Sequence, residues 1–143
     1  MTVAAILKDK APGVISVRPD DGIETVCQKL ADKGIGAVMV LRSDGGIAGI
    51  LSERDIVRGL AMIGTDLLQQ SADTIMTRNV MVCSSHDTIE DVMHLMTKRR
   101  IRQLPVVDNS KLVGMISIGD VVKRRIADTE MEAEAMRQYI ATG

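Results

Sequence analysis

The sequence predicts a mixed α/β fold in which one supersecondary unit is used twice, and three observations predict it. Residues 14–41 align onto 80–107 at a constant shift of 66, and residues 49–57 onto 114–122 at a shift of 65. Short, Val-rich apolar runs alternate with stretches whose apolar residues recur every three or four positions, the signatures of buried strand and amphipathic helix. Each copy then closes on the same pattern, Gly49-Ile50-Leu51-Ser52-Glu53-Arg54-Asp55 and Gly114-Met115-Ile116-Ser117-Ile118-Gly119-Asp120. Repeated units of this size often cannot bury their apolar faces alone. With 143 residues, long enough for one substantial core, the two halves are expected to share it.

The elements follow in order. Residues 14–17 predict a short strand ended by the turn Arg18-Pro19-Asp20-Asp21, and in the second half Cys83 ends the matching strand. Ile23, Val26, Cys27, Leu30 and Ala31 fall on one face of a helix, a pattern repeated by Ile89, Val92, Met93, Met96 and Thr97. The apolar runs 37–41 and 104–107 are too short for helices and read as strands. Turns at Ser43-Asp44-Gly45-Gly46 and Asp108-Asn109-Ser110 lead to further strands at 47–51 and 112–116. The turn 42–48 is one residue longer than 108–113, which changes the offset yet leaves the flanking strands in register. A helix then starts near Glu53 and near Ile118, with Ser52 and Ser117 at N-cap positions. The unit is strand–helix–strand–strand–helix. Residues 1–7 form a short apolar helical start. The tail 126–141 is a loosely amphipathic, locally acidic helix carrying Ile126, Met131, Met136 and Ile140. Either end reads as a plain extension or as a dimer-forming arm.

Composition narrows the function. Charged residues make up 26% of the chain with a net charge of −1, so the basic footprint of a nucleic-acid binder is missing. No apolar run approaches the ~20 residues that span a bilayer. Residues 1–7 lack the basic start and long apolar stretch of a signal peptide, and the expected compartment is the cytoplasm. Cys27 and Cys83 sit at core positions, with no Cys or His at metal-ligand spacing. His86 falls in a turn and His94 off the apolar stripe of its helix. With no credible Ser/His/acid set and no Gly-rich phosphate loop, the pattern favours binding over turnover.

The duplicated Ser-x-x-Asp suits a sugar-phosphate ligand. A carboxylate accepts hydrogen bonds from a ribose diol, while Ser and free helical N–H groups meet phosphate. The plainer reading keeps Asp55 and Asp120 as helix-start carboxylates, worth ~0.3–1 kcal/mol each against the helix dipole, with Ser52 and Ser117 as caps. With one Tyr, no Phe and no Trp, a purine pocket here would have to be aliphatic. Arg99, Arg100 and Arg102 form a basic cluster suited to phosphate or to a solvated face.

The repeat length and the closing Gly-x-x-Ser-x-x-Asp motif resemble the cystathionine-β-synthase (CBS) domain, and the tandem resembles the CBS pair or Bateman module. Gly34-Ile35-Gly36-Ala37-Val38, Ile101-Arg102-Gln103-Leu104-Pro105-Val106-Val107-Asp108 and the lead-in Asp73-Thr74-Ile75-Met76-Thr77 carry the likeness. The expectation is a stand-alone, prokaryotic-type pair with unit 1 at 8–66 and unit 2 at 73–130, related by a pseudo-twofold axis and packed through their sheets. The resemblance implies two clefts for adenosine ligands: AMP, ADP, ATP or NAD(H), without metal. Carried over, the first cleft uses Ile15, Ile35, Gly36, Ala37, Arg102, Gln103, Ser117 and Asp120. The second uses Ser52, Arg54, Asp55, Thr77, Val80, Ile101, Arg102 and Gln103. Gln103 stands where His is common in the family, and Gly34 becomes Arg100 in the second half, so the clefts are expected to differ, with the Asp120 cleft the better one. The resemblance further implies a homodimer and an effector protein that the sequence does not specify. The competing reading is a ligand-independent dimerisation scaffold.

Overall fold

The computed structural model describes residues 1–142. The chain runs α1 (Val3–Asp9), β1 (Ser16–Val17), α2 (Ile23–Lys33), β2 (Ala37–Leu41), β3 (Ile47–Ser52), α3 (Glu53–Ile63), a 3₁₀ turn (Gly64–Gln69), α4 (Ala72–Ile75), α5 (Ile89–Arg99), β4 (Gln103–Asp108), β5 (Lys111–Ser117) and α6 (Ile118–Thr142). The first half forms a three-stranded sheet ordered β1-β2-β3 and the second a two-stranded sheet, β4-β5. β2 pairs antiparallel with β3, and β4 with β5. Both hairpins carry a bulge at the same place, between Val40 and Leu41 and between Val106 and Val107. The longer turn of the first half therefore leaves its strands in step, as expected. In the second half Asn109 and Ser110 both take positive φ, 50° and 64°, which a two-residue hairpin loop of matching twist requires.

The expected first strand of the second half is reduced to a single bridge, Cys83 with Val106. The reason is one missing proton. In the first half the Met39 N–H donates to the Ile15 carbonyl at 3.3 Å. Its counterpart at the 66-residue shift is Pro105, which has no N–H to offer the Met81 carbonyl. What survives is the Cys83 N–H to the Pro105 carbonyl at 3.0 Å and the Val107 N–H to the Cys83 carbonyl at 2.8 Å. The Cys83 thiol is buried, and burial, reinforced by Asp87 and Asp108, pushes its pKa up to about 12. It is a core thiol and not a nucleophile.

The single shared core expected from the repeat is not what forms. Two apolar clusters exist, one per half. The first gathers Val17, Ile23, Val26, Leu30, Val38, Val40, Leu51 and Leu67, with Ala72 and Met76 from beyond the 3₁₀ turn. The second gathers Ile89, Val92, Met96, Leu104, Val106, Ile116 and Val121, with Val3 and Ile6 from the opposite end of the chain. Each lead-in thus packs on the other half. In α1, Val3 and Ala4 N–H groups donate to the Asp87 and Ser85 carbonyls, both at 2.9 Å. After α4, Thr77 and Ile50 exchange backbone bonds at 2.8 and 2.9 Å. The motif glycines make room for this crossing. A Cβ on Gly49 would lie 2.7 Å from the Thr77 carbonyl oxygen, and one on Gly114 would lie 2.6 Å from Leu7 Cδ2. Because Val3 and Ile6 are buried inside the chain, the N-terminal helix does not offer them as a dimer surface.

Successive β2 residues point to opposite faces. Val38 and Val40 enter the first core, and Ala37 and Met39 on the reverse face are buried as well. That reverse face is where the halves meet. A Cβ on Gly36 would approach the Gln103 side chain to 2.8 Å. The clefts open at either end of this contact.

Candidate nucleotide clefts

Both Ser-x-x-Asp motifs sit where a β-hairpin strand ends and a helix begins. In the first half Ser52 caps α3: its Oγ accepts from the Asp55 N–H at 3.3 Å, while Asp55 Oδ2 accepts from the Ser52 N–H at 3.0 Å and the Ser52 hydroxyl at 3.1 Å. This reciprocal box, worth ~1 kcal/mol, is the plain structural role foreseen for the pair. It also fixes the carboxylate in place. Thr77, delivered by the crossed lead-in, donates to Asp55 Oδ1 at 3.1 Å. The second half repeats the box, with Asp120 N–H to Ser117 Oγ at 3.1 Å and Ser117 N–H to Asp120 Oδ2 at 2.9 Å.

The surroundings of the two boxes differ. One cleft, of about 250 Å³, is lined by Ser52, Arg54, Asp55, Thr77, Val80, Ile101, Arg102 and Gln103, so all the residues expected of the second cleft come together. Ile50, Ala37 and Met81 add to its aliphatic wall. Sequence reading missed Arg58 and Asn79 there and had not assigned Arg100 to it. Arg58 had a signal, since it lies four residues after Arg54 and thus one turn along the same helix face. Four arginines face two carboxylates, Glu53 and Asp55. Among the described residues only Arg102 of the four is ion-paired, to Glu53 at 3.6 Å with both groups exposed, a weak contact.

The other cleft, of about 600 Å³, is lined by Ile15, Ile35, Gly36, Ala37, Gln103, Ser117 and Asp120. Arg102 is the exception. It was expected to reach this cleft too, but it lines the opposite one and turns toward Glu53. Its neighbour Gln103 lines both clefts, as the first residue of β4 at the contact between the halves. Lys10 was missed, and 110 residues separate it from the carboxylate it meets. Its Nζ donates to Asp120 Oδ2 at 2.8 Å and to the Met115 carbonyl at 2.8 Å. Burial pushes the Asp120 carboxyl up, but the Lys10 hydrogen bond and charge and the Ser117 N–H outweigh it and hold the group below its ordinary range. Among the described residues, Asp120 Oδ1 has no hydrogen-bond partner.

Known proteins place this arrangement. The CBS domain profile matches residues 7–62 and again 72–127. A CBS-domain protein of Agrobacterium tumefaciens superposes with a TM-score of 0.84 at 43% identity, over 87% of this chain and 92% of that one. The CBS domain pair of protein MJ0100, solved with 5′-methylthioadenosine and S-adenosyl-L-methionine, superposes at 0.77 with 26% identity over 90% and 98% of the two chains. The pair of CBSX2, solved with AMP, superposes at 0.73 with 21% identity over 88% and 97%, which shows the fold alone. With both repeats matched and the fold shared over nearly the whole chain, the chain belongs to the CBS-domain family as a tandem pair.

Proposed function

We propose that this pair is a regulatory module that binds an adenosine nucleotide, and that the arginine-lined cleft is its principal site. One observation carries the reading: a fixed carboxylate, four arginines and an aliphatic wall converge on one cleft. Asp55 would accept the ribose hydroxyls. Arg54, Arg58, Arg100 and Arg102 would neutralise phosphate, with the guanidinium fork suited to its oxygens. The base would lie against Ile50, Val80, Met81 and Ile101, read by backbone groups in the absence of rings. AMP, ADP, ATP and NAD(H) share these features, and the adenosine compounds bound to MJ0100 and CBSX2 support the class.

This ranking reverses the one expected from sequence. The Asp120 cleft holds one lysine and one carboxylate already joined to each other. A sugar there must displace Lys10 or share Asp120 with it, and few cations remain for phosphate. A guest carrying little negative charge suits it better. Signalling follows from population shift: a ligand touching both halves favours whichever relative orientation it binds more tightly. The output passes to an effector protein or to self-association. Both carboxylates of the cleft are already engaged, Asp55 in the cap box and Glu53 with Arg102, and the reading is binding, not turnover.

A thermal-shift and calorimetric panel of AMP, ADP, ATP and NADH tests this. A selective ligand at a hundredfold its Kd stabilises by about 2.7 kcal/mol. Asp55→Ala and Arg102→Ala are expected to remove most of the shift for phosphorylated ligands, and Asp120→Ala little of it. Equal losses at Asp55 and Asp120 would defeat the ranking. No shift with any nucleotide would defeat the ligand reading and leave the scaffold role.

A further inference from the structure

Each lead-in brings one side chain to the motif carboxylate of the other half: Thr77 a hydroxyl to Asp55, Lys10 an ammonium to Asp120. The two are anchored differently. Thr77 is stitched to the edge of β3 by both of its backbone bonds with Ile50. The residue matching Ile50 at the 65-residue shift is Met115, and among the described residues no bridge forms there. Helix length is the cause. α1 and α4 start on matching carbonyls, Asp87 and Ser85 for Val3 and Ala4, Asp21 and Pro19 for Ala72 and Asp73. α1 then runs seven residues and α4 only four, so a further helical turn carries the chain past β5 before it can extend. Residues 10–13 leave as an exposed strap between α1 on the second core and β1 on the first. Among the described residues, the hydrogen bonds tying this strap to the second half are those of the Lys10 ammonium, to the Met115 carbonyl and Asp120 Oδ2, both at 2.8 Å.

We propose that Lys10 is a displaceable internal ligand of Asp120, a latch that a ribose-bearing guest of the same cleft opens, setting residues 10–13 free. The latch presupposes the nucleoside reading of that cleft. Asp120 Oδ2 already accepts two bonds, from the Ser117 N–H at 2.9 Å and from Lys10, which occupies both lone pairs of that oxygen. A vicinal diol places one hydroxyl on each carboxylate oxygen. Oδ1 is open to the first, and the second must take the place of the ammonium. Displacement is within reach, because the Lys10 and Asp120 side chains are 37% and 26% exposed and a pair partly in water contributes little. The Asp55 cleft has no such device: Thr77 is held through its backbone, and its hydroxyl can turn aside without moving the chain. Occupancy of the Asp120 cleft is thereby reported at the surface, as slack in the strap that joins the halves. Salt gives the latch a distinctive sign. Screening weakens the Lys10–Asp120 pair, so an uncharged guest gains affinity as ionic strength rises, whereas a phosphorylated guest among arginines loses it.

Calorimetry with adenosine, a neutral probe carrying the diol, tests it on the full chain bearing Asp55→Ala, which leaves the Asp120 cleft to report. Adding Lys10→Met, which keeps the stem and removes the charge, is expected to tighten adenosine about fivefold. Adding Asp120→Asn should abolish binding. Higher ionic strength should tighten adenosine on the parent and leave the Lys10→Met chain unchanged. Trypsin reads the strap itself, since cleavage after Lys10 needs that side chain free. Adenosine should speed this cut in the parent, and Asp120→Asn should speed it without any ligand. Equal or weaker binding after Lys10→Met, or a cut that adenosine slows, overturns the latch, because the sugar then shares Asp120 with Lys10. Adenosine binding to neither chain overturns it too. AMP thermal shifts with Asp55 restored then show whether the nucleotide reading of the arginine-lined cleft still stands.

Discussion

Arg100 ends α5 in the left-handed conformation, φ 54°, where Gly34 ends α2 at φ 63°. The backbone device is the same in both halves, with the Ile35 N–H reaching the Leu30 carbonyl at 3.1 Å and the Ile101 N–H the Met96 carbonyl at 3.0 Å. Glycine adopts this shape freely, while a side chain there costs ~1–2 kcal/mol. Strain held at a cleft wall points to use, and Arg100 lines the arginine-rich cleft. Arg100→Gly is therefore expected to stabilise the ligand-free chain by about 1 kcal/mol, raising Tm by about 3 °C, while weakening phosphorylated ligands. A variant that gains stability and binds as wild type would show the side chain idle. The sequence exposed half of this, since the Gly-to-Arg change was visible at a fixed offset but the helix-capping geometry was not. Lys10 was wholly hidden, because no pattern links a loop lysine to a carboxylate 110 residues on.

At the level of elements, the strands and helices were legible because their apolar periods differ and occur twice. β2 falls on the expected residues. The departures have local causes. Pro105 removed the donor that would have extended a parallel strand. The crossing of α1 and α4 was hidden because an apolar face announces burial without naming the surface that covers it. The motif glycines now carry a structural meaning that tests the crossing. Gly49→Ala would drive a methyl into the backbone carbonyl of Thr77, with an expected cost of about 1–3 kcal/mol in urea unfolding. Gly114→Ala meets only the tip of Leu7, which can rotate away, and should cost less. Equal penalties would mean the lead-ins yield alike.

For the whole molecule, two cores do not imply two independent bodies. Opening either half strips its neighbour of a covering segment: Ala72 and Met76 in one direction, Val3 and Ile6 in the other. Calorimetry is expected to show one transition whose calorimetric and van't Hoff enthalpies agree, and two resolved peaks would show the cores uncoupled. Overall architecture was readable from the repeat; the residues named for each proposed cleft lie together in the structure, apart from Arg102 in the Asp120 cleft, while Arg58, Asn79 and Lys10 were not foreseen. Which cleft carries the positive charge was not, because that depends on side-chain direction at the seam between halves. The lost donor at Pro105 reaches furthest. Asn79, Val80 and Met81 line the arginine-rich cleft on a stretch with no ladder behind Met81, whereas its opposite number, through Ile15, is stitched to β2. One cleft thus has a wall tied to a neighbouring strand and the other a wall that lacks that tie, so Asp55-side binding is expected to accept guests of more varied bulk, an outcome that titrating AMP against NADH would check.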